Sequence, residues 1–429
     1  MTKTFMPRYR TQAELRALQL EGLTWTVRHA YHGSEFYRER FDAAGVKPDA
    51  IQSLDDLRRL PFVTAQDLQQ GYPFPLRAVP FERIVRIHAS SGTTGKRKVM
   101  AYTAKDIDDW ANMFARCYEL AGLTALDRVQ ICVGYGVWTA GVGFQNGCER
   151  FGAMALPVGP GNTEMHLQFL EDFQPTVICA TASMALLLAE EAEKAGISDR
   201  LSVRKVIMGA ERSSDAMRAK IRALFHAEHV FDIPGLTEVY GPGTGLDCVH
   251  HAGIHYFPDY YILEILDPHT LEPVKEGEVG EMVYTTLRKE GAPLVRYRSR
   301  DLTRLIPGTC ACGSILPRHD RISGRSDDMF IIRGVNIYPS HIEEILGRHR
   351  GIASEYQIVL ERHDDGKDYM TVKVERAPDG VKENDTALAK SIATDMRKSL
   401  LVSGAIEIVG YGELPRTGRK SQRVFDRRG

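Results

Sequence analysis

Between positions 88 and 99 the chain reads HASSGTTGKRKV: serines, threonines and glycines, then three cations in four positions. Hydroxyls, unobstructed backbone N–H groups and an ammonium together suit an anion, and phosphate above all. The spacing excludes the P-loop of ordinary nucleotide hydrolases, which needs four residues between its glycine and a Gly-Lys-Ser/Thr. Here only Thr93 and Thr94 separate Gly92 from Gly95, and Lys96 is followed by Arg97. Ser90, Ser91, Thr93 and Thr94 offer hydroxyls, Gly92 and Gly95 let the backbone close on the ligand, and Lys96 adds charge. A plain Ser/Thr/Gly surface turn is the alternative.

A second set could hold a metal. Cys310 and Cys312 flank one alanine, and Cys248, His250, His251 and His255 cluster about 60 residues earlier. Three cysteines and a histidine match the donors of structural zinc. The tight Cys-x-Cys spacing is not that of a zinc finger, and two loops with unpaired thiols and solvated histidines remain the alternative.

These groups need a frame. Leu15, Leu18, Gly22, Trp25 and His29 recur at helical spacing over 11–31, and Ile107, Trp110, Phe114 and Cys117 repeat the pattern after the anion loop. Short apolar runs (VQICVGYG, MALPVG, TVICATAS, RKVIMGAE, HVFDIPG) then alternate with helical stretches, predicting a parallel α/β sheet over 130–235. Ligands of such sheets sit at the carboxyl ends of the strands. From 255 the texture turns β-rich and antiparallel. After a turn-rich junction at 324–328 comes a compact α+β unit: helix 339–348, strands EYQIVLER and YMTVKVE, helix 384–401, strand AIEIVG. The predicted fold class is α/β, with a large N-terminal domain over 1–326 and a small C-terminal α+β domain over 327–429.

Composition narrows the function. Lys plus Arg total 55 against 56 Asp plus Glu, so no global field draws nucleic acid or an acidic membrane. No run approaches the ~20 apolar residues of a membrane span, and MTKTFMPRYRTQAELRAL has no secretory core. Cys117, Cys132, Cys148 and Cys179 sit singly among apolar neighbours and read as buried, reduced thiols of a cytoplasmic protein.

Four stretches occur in order: SSGTTGK at 90–96, GLTE at 235–238, YRSRD at 297–301 and LPRTGRK at 414–420. Together they resemble the acyl-adenylate-forming enzymes. ASSGTTGK, YGPGTG and RISGRSDDMFIIRGVNIYPSHIEEIL are similar to the phenylacetate–CoA ligases over nearly the whole chain. The chemistry suits the residues. A carboxylate attacking the α-phosphorus of ATP brings two anions together, so the protein must supply N–H groups, hydroxyls and cations rather than a nucleophile.

On this resemblance the 90–96 loop holds the β- and γ-phosphates, Thr237 contacts the α-phosphate and Glu238 ligates Mg2+. Pro234 stands where most relatives stack an aromatic ring on adenine. Asp301 accepts the ribose hydroxyls, unless Arg298 or Arg300 neutralises it, and Arg325 contacts ribose or phosphate. Asp327 is the hinge of a mobile small domain, though turn chemistry alone would explain an Asp-Asp pair there. Lys420, preceded by Arg419 where relatives carry glycine, is the mobile lysine of adenylation; a solvated basic tail is the alternative. Gly334, in RGVNIYP, lines a tunnel for coenzyme A. The resemblance also selects Cys248, His255, Cys310 and Cys312 as the ligands of a structural Zn2+, and implies a homodimer.

For the acid, Tyr135, Trp138 and Phe144 offer aromatic walls and Gly209 and Ala210 a small floor, favouring a flat aryl acid over a long chain. The expected reaction is acid, ATP and CoA to acyl-CoA, AMP and diphosphate. An adenylating enzyme with another acceptor, and a silent relative that only binds nucleotide or acid, are the competing readings.

Overall fold

The computed structural model describes residues 4–90, 96–328, 330–332, 335–363, 367–400, 402–415 and 423–428. Two compact units emerge: Met1–Glu211 with Arg222–Ile322, and Arg212–Ile221 with Ser323–Gly429. The α/β class is as predicted.

In the first unit a capping box starts the helix Gln12–Gly33, with Thr11 Oγ1 accepting from Glu14 N at 3.1 Å. Its inner face differs from the expected one. Leu15 and Gly22 are buried as predicted, but with Leu23, Thr26, Val27 and Ala30, while Leu18 is 40% exposed and Trp25 and His29 are half-buried. Two contacts turn the helix this way: Thr26 Oγ1 donates to Thr286 O (3.1 Å), and Gly22 lies where a Cβ would meet Leu287 at 3.1 Å. The helix Ala104–Leu120, capped by Thr103 and Asp106, buries Trp110, Phe114 and Cys117 as predicted.

Strands β1 (Arg86–Ala89) and β2 (Val99–Tyr102) form an antiparallel hairpin around the anion loop. Reciprocal bonds close its neck: Ser90 N donates to Lys98 O, and Lys98 N to Ser90 Oγ, both at 3.0 Å. The parallel sheet comprises β3 (Arg128–Ile131), β4 (Met154–Leu156), β5 (Val177–Thr181), β6 (Lys205–Gly209) and β7 (His229–Ile233), in the order β4-β3-β5-β6-β7. These short runs are apolar because helices cover such sheets.

Past β7 the two-residue strands β8 (Gly235–Leu236) and β9 (Gly241–Pro242) pair across the turn Thr237–Tyr240. Gly235 has no room for a Cβ, which would meet Gly241 O at 2.2 Å. Then come β10 (Gly245–Asp247), β11 (Ile254–Tyr256), β12 (Tyr261–Leu266), β13 (Gly280–Thr286), β14 (Tyr297–Thr303), β15 (Leu305–Ile306) and β16 (Arg318–His319). Antiparallel pairing joins β12-β13-β14 in one sheet and β10-β11-β16-β15 in another.

In the second unit Asp368–Arg376 pairs antiparallel with Ile352–Arg362 and parallel with Ala405–Val409. The helices Pro339–Leu346 and Asp385–Leu400 cover this sheet through Ile342, Ile345, Ile392 and Met396. One strand departs from expectation: Val424–Asp426, in the basic tail, pairs parallel with Ile352–Arg362. Arg423 is paired with Glu355 (2.7 Å) and Arg428 with Asp368 (3.0 Å), so 423–428 is a bonded edge strand rather than a solvated tail. Among the described residues no helix is long and apolar enough to cross a membrane.

Candidate active site

The turn Thr237–Tyr240 is held from below by two side chains. Tyr102 Oη lies 3.0 Å from both Thr237 O and Tyr240 O, sharing its proton between them. Lys289 Nζ donates to Glu238 O at 2.9 Å and to Val239 O at 2.7 Å. Four consecutive carbonyls are thus satisfied by side chains, in a segment too tight for backbone partners.

Glu238 is 3% exposed, and its carboxylate pairs with Lys98 at the neck of the anion loop and accepts from Tyr297 Oη at 2.9 Å. Burial raises its pKa, but Lys98 and the Tyr297 hydroxyl outweigh burial and hold the carboxyl below the usual glutamate range. It is therefore an ionised, buried oxygen donor, the kind a hard cation takes. No residue in the motifs marked Lys98 or Lys289; Tyr297 stood in YRSRD without an assigned role.

Tyr297 opens β14, which also carries Asp301, 7% exposed, with its N–H on Ser299 Oγ at 3.0 Å. Arg298 makes two bonds of 2.8 Å to Glu281, and Arg300 approaches the same carboxylate within 3.5 Å. Pro234 is buried, and its carbonyl accepts from Gly243 N (3.1 Å) and Thr244 Oγ1 (3.3 Å). Lys96 stands exposed over the Tyr72 ring, 5.7 Å from its centroid. Ser90 closes the loop's neck, whereas Ser91, Gly92, Thr93, Thr94 and Gly95 lie outside the described residues.

At the carboxyl ends of β5, β6 and β7 a narrow cavity of ≈ 70 Å³ opens toward this turn. Trp138, Phe144, Gly209 and Ala210 line it together, joined by Val133, Ile233 and Thr237. Phe144 is fixed edge-on to Phe114, with centroids 4.8 Å apart. Tyr135 does not wall this cavity: its ring packs over Gly141, where a Cβ would meet it at 2.6 Å, and among the described residues its buried hydroxyl meets no hydrogen-bond partner. Burial pushes that phenol up to about 12.

In the second unit Arg325 holds Asp327 in a two-bond pair, Nε–Oδ1 2.9 Å and Nη2–Oδ2 3.0 Å. Gly334 and Lys420 lie outside the described residues. The chain before Lys420 is fastened by Leu414 N on Glu375 Oε1 (2.8 Å), and the chain after it by the Arg423–Glu355 pair.

Away from this turn, Cys248, His255, Cys310 and Cys312 bring their ligand atoms within 4.8 Å of one another. Cys248 follows β10, His255 is the middle residue of β11, and the other two lie on the loop between β15 and β16. That loop turns back at Gly313, whose N–H bonds Cys310 O (3.0 Å) at φ +75°. Sγ of Cys248 and Cys310 are 3.6 Å apart, too far for a disulfide. Cys312 Sγ lies 3.4 Å from His255 Nε2. A tetrahedron with Zn–S of about 2.3 Å and Zn–N of about 2.0 Å has edges of about 3.8 and 3.5 Å, so the spacing fits zinc. His255 Nδ1 sits 3.1 Å from Leu316 O. A carbonyl only accepts, so Nδ1 carries the proton and Nε2 offers its lone pair to the cluster. His251 is engaged elsewhere, with Asp247 (2.9 Å) and His229 (3.1 Å).

Comparisons with known proteins identify the family. The AMP-binding enzyme family matches residues 33–286, and the AMP-binding enzyme C-terminal domain matches 334–428. The chain is 43% identical to phenylacetate-coenzyme A ligase of Escherichia coli over 97% of its own length and 95% of that protein's. The corresponding ligase of Aromatoleum evansii is 44% identical, with 97% and 96% covered. Among solved structures, 2-hydroxyisobutyryl-CoA ligase in the postadenylation state superposes with a TM-score of 0.89 at 27% identity, covering 97% of this chain and 90% of that one. The chain therefore belongs to the AMP-binding enzyme family, in the group of the phenylacetate–coenzyme A ligases.

Proposed function

We propose that the protein joins an aryl carboxylic acid to coenzyme A at the expense of ATP. The observation that carries this reading is Thr237, which walls the apolar cavity while its neighbour Glu238 presents an ionised carboxylate beside the neck of the anion loop. An aryl ring in the cavity directs its carboxylate toward Thr237, where the α-phosphate would lie. The acid's oxygen attacks the α-phosphorus and diphosphate leaves with its bonding electrons. The thiolate of coenzyme A then attacks the acyl carbon and AMP departs. Glu238 would hold Mg2+, which supplies charge neutralisation between phosphate oxygens. Asp301 takes the ribose hydroxyls, Lys420 the attacking carboxylate, and Gly334 the approach of the thiol. Asp327 serves as the hinge residue.

The four-residue sulfur-rich cluster holds zinc. Cys248, His255, Cys310 and Cys312 would fill all four positions of such an ion, which would be structural and take no part in the reaction.

The test is AMP release from ATP and Mg2+ with a panel of aryl and short-chain acids, each with and without coenzyme A. AMP that requires an aryl acid and coenzyme A, and is lost in Lys420→Ala, supports the reading. AMP formed equally well without coenzyme A assigns another acceptor, and none with any acid in folded protein overturns it.

A further inference from the structure

Lys289 is a fully buried lysine that no part of the proposed reaction uses. Its backbone is pinned on both sides. Arg288 N donates to Thr26 Oγ1 (2.9 Å), while Glu290 N and Gly291 N donate to the Asp106 carboxylate (2.7 and 2.8 Å), so the side chain between them runs inward. There Nζ lies 4.9 Å from the ring centroids of both Tyr102 and Tyr240 and bonds the two carbonyls of Glu238 and Val239. Among the described residues no carboxylate comes within ion-pair distance of Nζ; Asp106 and Glu238 act on it only through space.

Burying an ammonium against neutral partners is costly, and a methionine would fill the same volume without that cost. What methionine cannot supply is the pair of donors. Glu238 is thereby gripped at both ends, its carbonyl by Lys289 and its carboxylate by Lys98 and Tyr297.

We propose that Lys289 is a positioning residue for adenylation: with the Tyr102 hydroxyl it fixes the Thr237–Tyr240 turn, so that the Thr237 hydroxyl and the Glu238 carboxylate meet the nucleotide in one set geometry. The proposal rests on the roles given above to Thr237 and Glu238. It separates the half-reactions, because the Glu238 carboxylate would hold a cation needed only for attack on ATP, whereas the thiol attacks an acyl carbon already activated.

The experiment compares Lys289→Met, Tyr102→Phe and Glu238→Gln with the unaltered protein in ATP–diphosphate exchange and in thioester formation from supplied acyl-adenylate, with Tm recorded for each. Lys289→Met should lower the kcat of exchange about 10- to 100-fold and raise the Mg2+ requirement, as loss of a ligand's outer support does. The KM for the acid and the thioester step should change less than about threefold. Tyr102→Phe should give the same split with a smaller loss. Exchange within about twofold of the unaltered protein, or equal losses in both half-reactions, overturns the proposal. If Lys289→Met does not fold, the split in Tyr102→Phe decides. Full exchange in Glu238→Gln would remove the underlying assignment, whereas an inactive Glu238→Gln beside a normal Lys289→Met overturns only the role of Lys289.

Discussion

Lys98 and Glu238 form an ion pair that ties the neck of the anion loop to the Thr-Glu turn. The lysine sits where the β1–β2 hairpin closes, and the glutamate sits 3% exposed on a turn beyond the last parallel strand. Loop neck and turn are thus tied to each other by opposite charges.

Removing that ammonium leaves burial as the main force on Glu238, opposed by a backbone N–H and the Tyr297 hydroxyl, and the carboxyl shifts upward. In the native protein its lowered pKa keeps it ionised at neutral pH and below. In Lys98→Met the acid limb of the kcat/KM profile for ATP–diphosphate exchange should therefore move to higher pH. Parallel pH–rate profiles check this, and coincident acid limbs would count against it.

Tyr297→Phe removes one hydroxyl from Glu238 and keeps the ring. A hydrogen bond to a charged group contributes about 1.5–3 kcal/mol, and Lys98 still compensates the carboxylate, so the lower figure applies. Exchange should fall roughly tenfold, with the acid's KM little changed, since 1.4 kcal/mol is a factor of ten. Steady-state exchange kinetics at saturating ATP measure it.

Elemental analysis should find one zinc per chain. Cys310→Ser, or exhaustive chelation under mild denaturation, should lower Tm, while protein that remains folded at 25 °C keeps kcat within about twofold, as a closed four-ligand site implies. Calorimetry and activity on the same samples separate the two effects.

His88 is 1% exposed, wedged between the Tyr102 and Trp110 rings, with Nδ1 on Val137 O at 3.1 Å. Burial, with Arg86 and Lys289 nearby, pushes it down to about 4. Unfolded chains take up this proton near pH 6.5 and folded ones only near 4, so stability falls as pH drops through that window and levels off below it. The effect is on the order of 3 kcal/mol. Chemical denaturation between pH 7 and 4 should show a flatter decline in His88→Gln.

The sequence carried the frame well because the frame is periodic. Apolar runs of strand length alternating with helical stripes can hardly be anything but a covered parallel sheet, and all five strands lie where those runs stand. The grouping of Cys248, His255, Cys310 and Cys312 was legible because three cysteines and a histidine share the donor types of structural zinc, and the resemblance singled out His255 among the neighbouring histidines. Lys289 was not: within LRKEG it looks like any charged loop, and only the pinning of its flanks by Thr26 and Asp106 turns it inward. Lys98 was hidden in a basic run. The edge strand Val424–Asp426 escaped because its partner lies more than 60 residues away and its flanking arginines suggest solvent until Glu355 and Asp368 are seen beside them. The face of the first helix was misjudged because a glycine contact and a threonine bond, neither of them hydrophobic, decide its rotation.

The shared grip on the Thr237–Tyr240 turn also limits how this protein can diversify. Tyr102 takes the outer two carbonyls and Lys289 the inner two, so the turn offers no single bond that adjusts one residue while sparing its neighbour. The cavity walls at Trp138, Phe144 and Ala210 are separate side chains, so each can be exchanged without unfastening this turn. On the proposed reading, substrate range can change along one side of Thr237 while the turn on its other side is kept as a block.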